Sequence, residues 1–92
     1  MFFEVAEAQH AGEYMIRLRF DDGSAGTADL SSYAEKDTVF REFLDKDYFK
    51  SFRIEYGTLV WGDGELDIAP ETLYPLATGK PVRYRYTESK AI

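Results

Sequence analysis

The stretch Tyr14-Met15-Ile16-Arg17-Leu18-Arg19-Phe20-Asp21-Asp22-Gly23 decides the fold. Tyr14, Ile16, Leu18 and Phe20 alternate with Met15, Arg17 and Arg19, the period-two pattern of a strand with one buried face. Asp21-Asp22-Gly23 then predicts a hairpin turn, because Asp-Gly tolerates the positive φ that such turns require. Upstream, residues 2–8 mix Phe3 and Val5 with Glu4 and Glu7 and read as a first strand, turned by Ala11-Gly12-Glu13. Downstream, Thr27-Ala28-Asp29-Leu30 reads as the return strand. The first 30 residues therefore predict a three-stranded antiparallel meander.

The period then changes. Ser32 and Glu35 have the spacing of a capping box, which predicts a helical turn. Val39, Phe40, Phe43 and Leu44 recur at helical spacing, giving an amphipathic helix of about two turns. Asp37 or Thr38 is its expected cap, and Tyr48 and Phe49 continue its apolar surface beyond a short turn at 45–47. Strand periodicity returns with Phe52, Ile54 and Tyr56 against Arg53 and Glu55. Gly57 turns the chain into Leu59-Val60-Trp61, and Gly62-Asp63-Gly64 turns it into Leu66 and Ile68. Pro70 suits the first position of a closing helix, Glu71 suits its positive end, and Gly79 with Pro81 ends it. The expected fold is a small single-domain α+β protein: a meander, a short helix, a second hairpin and a short C-terminal helix over 1–79. A basic, Tyr-containing tail follows over 80–92.

Composition bounds the chemistry. At 92 residues the chain has room for one core, and 45% hydrophobic and 16% aromatic residues suffice to fill it. With no cysteine there is no disulfide framework, thiolate metal site or thiol nucleophile. No segment approaches the roughly 20 apolar residues of a membrane span. Glu4 directly after Met1-Phe2-Phe3 does not fit a signal peptide. A cytoplasmic protein of bacterial type is expected. The net charge of −6 is uneven. Lys80, Arg83, Arg85 and Lys90 against Glu88 make the tail +3, leaving about −9 on the body. An acidic body repels a phosphate backbone, so nucleic acid is expected only through the tail, if at all.

Several phrases in order resemble one family. They are Leu18-Arg19-Phe20-Asp21-Asp22-Gly23, Ala28-Asp29-Leu30, Val39-Phe40, Phe43-Leu44 and Tyr48-Phe49. Leu59-Val60-Trp61, Gly62-Asp63-Gly64, Leu66-Asp67-Ile68-Ala69-Pro70 and Glu71-Thr72-Leu73-Tyr74 follow. Together they resemble the bacterial domain of unknown function 2442, over residues 1 to about 76. The resemblance implies an α+β domain, often a stand-alone protein and sometimes joined to a helix-turn-helix. It also implies a neighbouring gene for another small protein, hence a partner of toxin–antitoxin type. No activity comes with it. No helix-turn-helix is read here, since only about a dozen residues follow Gly79.

The candidate site residues are few. His10, the single histidine, reads as a solvent-exposed loop residue. Asp63, Glu65 and Asp67 form the densest carboxylate run, too short for a calcium loop and without its later bidentate Glu. Glu65 and Asp67 read as a solvated face guarding an edge strand, opposite Leu66 and Ile68. Trp61 reads as a core ring or, if exposed beside Tyr56, as an anchor for a protein partner. Gly62 and Gly64 serve a turn and make no dinucleotide loop. In the tail, Tyr84 and Tyr86 alternate with Arg83 and Arg85, a pattern suited to strand addition or to single-stranded nucleic acid.

Three functions follow in order. The first is a non-enzymatic protein-interaction module with no cofactor or metal, binding another small protein or itself, the acidic member of a toxin–antitoxin-like pair. Its candidate contacts are Tyr56, Trp61, Asp63, Glu65, Asp67, Arg83, Tyr84, Arg85 and Tyr86. The second is a nucleic-acid-binding regulator acting through the tail. The third, a small hydrolase using Asp63, Glu65 or Asp67, requires a carboxylate of raised pKa in a pocket.

Overall fold

A computed structural model describes residues 4–35 and 38–80. The meander is present as β1 (Val5–His10), β2 (Met15–Phe20) and β3 (Ala25–Asp29), an antiparallel sheet in the order β1-β2-β3. Ile16, Leu18 and Phe20 face the core and Arg17 and Arg19 face solvent, as the alternation requires. β1 runs later than expected, to His10, because its pairing to β2 continues through His10↔Ile16. A bulge between Val5 and Glu7 absorbs one residue of β1. The β2–β3 turn closes through Phe20 N–H to the Ser24 carbonyl at 2.8 Å and Gly23 N–H to the Phe20 carbonyl at 3.0 Å.

Between the sheets the chain departs from its helical periodicity. Ser31–Tyr33 forms one 3₁₀ turn, and the Asp29 carboxylate, not Ser32, receives its first N–H, that of Ser31, at 2.9 Å. The expected helix over 39–44 is instead a 3₁₀ turn, Arg41–Leu44. Phe40 and Phe43 lie three apart, the 3₁₀ repeat, with ring centroids 5.3 Å apart and Phe43 fully buried. Val39 and Leu44 would have completed an α-helical stripe, but they are 74% and 52% exposed. Thr38 does not cap that turn: its Oγ1 accepts the Phe40 N–H just ahead of it, and the N-cap, Phe40, has no side-chain cap bond; Asp37 lies outside the described residues. The helical cap falls later, at Asp45, whose carboxylate accepts the N–H groups of Asp47 and Tyr48 and starts the one-turn α1 (Lys46–Phe49).

The second sheet has three antiparallel strands, β4 (Arg53–Glu55), β5 (Thr58–Trp61) and β6 (Leu66–Ile68), in the order β4-β5-β6. Its inward residues Leu59, Trp61 and Ile68 join Ile16, Leu18, Phe20, Phe43 and Phe49 in one core. The sheets are tied by the Val5 N–H donating to the Gly57 carbonyl at 3.0 Å. The closing helix α2 (Pro70–Thr78) starts at Pro70 and buries Leu73 and Tyr74. Gly79 caps it, donating to the Pro75 carbonyl at 2.9 Å. α2 lies so close on β3 that a Cβ at Gly26 would stand 1.9 Å from the Ala77 carbonyl oxygen. The described residues thus form an α+β domain of two antiparallel sheets, a one-turn helix and a closing helix.

Candidate functional site

Tyr56 is the most exposed large hydrophobic side chain of the described residues, at 97%. Its expected place on β4 is overturned, because Glu55 pairs with Thr58 and leaves Tyr56-Gly57 as a two-residue loop. Both loop residues have positive φ, 53° at Tyr56 and 78° at Gly57, as in turns that match strand twist. Asn, Asp and Gly fit such positions; a bulky Tyr is held there at a cost. Packing at the next residue does the holding. Gly57 is buried against the Glu4 side chain, where a Cβ would meet the Glu4 Cβ at 2.4 Å, and its carbonyl takes the Val5 N–H. The ring is therefore presented on a short, anchored tip.

Trp61 stands at the other end of β5 and has no accessible surface. Its Nε1–H donates 2.8 Å to the Phe49 carbonyl, and its ring packs 4.6 Å from Phe43. This corrects its candidacy as a surface anchor: the inward alternation of β5 commits it to the core, and it is not beside Tyr56.

Asp63, Glu65 and Asp67 are all exposed. Only Asp67 lies on β6, the edge strand; Asp63 and Glu65 belong to the turn. Asp67 sits across from Val60, which in turn pairs with Arg53. Glu65 folds back over Gly62, its Oε1 lying 1.7 Å from where a Gly62 Cβ would be, beside the Tyr48 hydroxyl. Among the described residues no three His, Cys, Asp or Glu side chains group as a metal site.

Glu65 instead lines a groove with Val39, Tyr48 and Leu66, which the sequence pattern marked only as apolar packing positions, and with Glu42, which it did not mark. Val39, Glu42, Tyr48, Glu65 and Leu66 enclose about 450 Å³ between the 38–44 segment and the β5–β6 turn. Burial, then the charge of Glu65, then that of Glu42, push the Tyr48 hydroxyl above the ordinary phenol range. No sequence signal marked this groove, because Val39 sits inside an apparent helical stripe and only the fold turns it outward.

A second depression of about 390 Å³ lies on the outer face of the meander, lined by Glu7, Gln9, Arg17, Arg19 and Ala25 among others. Arg19 pairs with Glu7 across the strands at 3.1 Å, which holds the Glu7 carboxyl below its usual range. At the β2–β3 turn, Tyr74 donates to Asp22 at 2.8 Å and Ser24 N–H to the same carboxylate at 2.9 Å, latching α2 to the hairpin. His10 closes β1 and is not a loop residue; it is half-buried, with Nε2 2.9 Å from the Glu13 carbonyl and its ring 6.1 Å from Phe49. Arg83, Tyr84, Arg85 and Tyr86 lie outside the described residues. No described helix is long and apolar enough to cross a membrane.

The family model described as protein of unknown function (DUF2442) matches residues 5–79. None of the curated proteins and none of the solved structures matches the chain.

Proposed function

The chain belongs to the DUF2442 family of proteins of unknown function, and from that premise we propose that it is a non-enzymatic interaction module, the acidic member of a pair with another small protein. The carrying observation is Tyr56, 97% exposed and held in a left-handed conformation on an anchored two-residue loop. A large ring on a rigid tip loses little conformational freedom on binding, which is why Tyr and Trp dominate interface energies. The body around it is acidic, since the chain's net −6 includes a positive tail. Complementary charge speeds the approach of a basic partner and sets its register. A toxin–antitoxin-like relation is the biological form this reading takes, in a cytoplasmic setting.

The test is affinity capture from the native host with three tagged chains: full length, one lacking residues 80–92, and full-length Tyr56→Ala. One small protein recovered at near-equal stoichiometry by the first two, and lost with Tyr56→Ala, supports the module. Nucleic acid recovered by the full-length chain alone would replace it with a tail-driven regulator.

A further inference from the structure

The groove lined by Val39, Glu42, Tyr48, Glu65 and Leu66 has two carboxylates and one phenol hydroxyl as its side-chain polar groups. Glu42 and Glu65 make no ion pair among the described residues, whose three salt bridges are Arg19–Glu7, Lys46–Glu13 and Arg53–Glu55. Ionised carboxylates only accept hydrogen bonds. The Tyr48 hydroxyl, which both carboxylates flank, has no hydrogen-bond partner among the described residues and keeps its proton. The rest of the lining is apolar: Leu66 is half-buried, and Val39 is left 74% exposed on a segment whose neighbour Phe40 turns inward.

Such a lining specifies its complement. Two acceptors and a phenol ring above aliphatic walls match a long apolar stem that ends in a cation with several donors. Arginine fits better than lysine: its planar guanidinium carries five N–H donors, reaches two carboxylates at once and stacks on aromatic rings. We infer that this groove receives an arginine side chain from the basic face of a partner protein, its stem on Val39 and Leu66 and its guanidinium between Glu42 and Glu65. This rests on the interaction-module reading and gives that module a second contact besides Tyr56. The two lie at opposite ends of β5, because Tyr56 precedes the strand and the 62–65 turn follows it. A partner that uses both must therefore span the second sheet.

The experiment is an amide-shift NMR titration of the ¹⁵N-labelled full chain with a blocked peptide, acetyl-Ala-Val-Arg-Val-Ala-amide, and with its Arg→Gln counterpart. A single-arginine peptide is expected to bind on the order of 1 mM. Shifts should concentrate on residues 39–42, 48 and 62–66, and the affinity should fall with added salt. E42Q/E65Q should weaken the arginine peptide about tenfold or more. Both positions are exposed, so the variant keeps a dispersed spectrum. Equal binding of the Gln peptide, shifts centred on Glu7 and Gln9, or indifference to E42Q/E65Q would each overturn the assignment. So would concentration-dependent broadening without peptide that E42Q/E65Q removes, since a second copy would then fill the groove. A partner protein held equally by wild type and E42Q/E65Q leaves the module reading standing and removes the groove from it. Arginine-peptide binding at the groove in a chain that captures no protein keeps the groove and removes the module.

Discussion

Gly26→Ala should be among the most damaging single-methyl changes available to this chain. A Cβ at position 26 would lie 1.9 Å from the Ala77 carbonyl oxygen and 2.7 Å from its carbon. A normal carbon–oxygen contact is about 3.2 Å or more, so the two backbones must part by over about 1 Å, which a close-packed interior does not absorb. The Gly26 φ is not in the positive region, so the cost is steric rather than conformational. Overpacking costs about 1–3 kcal/mol. Withdrawal of α2 would add part of the burial of Leu73 and Tyr74, about 1.5–3 kcal/mol for each large side chain. A loss of about 3 kcal/mol is therefore expected, or about 12–24 °C in melting temperature for a domain of this size. Urea unfolding followed by the fluorescence of the single, buried Trp61 reads it directly. Gly64→Ala is the control: φ is 94° with nothing within 4 Å, so only backbone strain of about 1–2 kcal/mol is expected. Ala77→Gly should not rescue Gly26→Ala, because the obstructing atoms are backbone. A Gly26→Ala variant within about 1 kcal/mol of wild type, or less damaged than Gly64→Ala, would refute the packing of α2 on β3.

Three further outcomes follow from the geometry. Tyr56→Asn should stabilise the chain by about 1 kcal/mol, since Asn accepts positive φ more readily, yet weaken partner capture; lower thermal stability would argue against the turn. Trp61→Phe leaves the Phe49 carbonyl without its indole donor and opens space in the core, so a loss of about 2–4 kcal/mol is expected by circular dichroism in urea. Burial pushes the Asp22 carboxyl up, but bonds from the Ser24 N–H, the Tyr74 hydroxyl and the Ser24 hydroxyl, with the charge of Lys80, outweigh it and leave it below its usual value. A carboxyl depressed in the folded state stabilises above its unfolded pKa and loses that contribution as pH falls through the folded one. Asp22→Asn should thus flatten the acid limb of the stability curve below about pH 4, and parallel curves for the two proteins would exclude the latch.

What was legible in the sequence was local. The alternation of Ile16, Leu18 and Phe20 with arginines, the Asp22-Gly23 turn, the Gly57 and Gly62–Gly64 turns, and the Pro70 start and Gly79 stop of α2 each encode their own backbone state. These are short-range effects of side-chain period and φ preference, and they sufficed for a meander, a second hairpin and a closing helix, although the second sheet has three strands where a hairpin was expected. The 38–49 segment was not legible in this way. Of the apparent stripe Val39, Phe40, Phe43 and Leu44, only Phe40 and Phe43 reach the core, so packing selected 3₁₀ spacing and moved the helix start to Asp45. Tertiary structure likewise sorted the two aromatics beside glycine turns. The inward register of β5 buried Trp61, while the clamp of β1 on Gly57 pushed Tyr56 outward. The groove joins residues 39, 42 and 48 to 65 and 66, and the contact of Gly26 with Ala77 spans most of the chain. Such juxtapositions leave no period in the sequence, because they exist only once distant elements share one core.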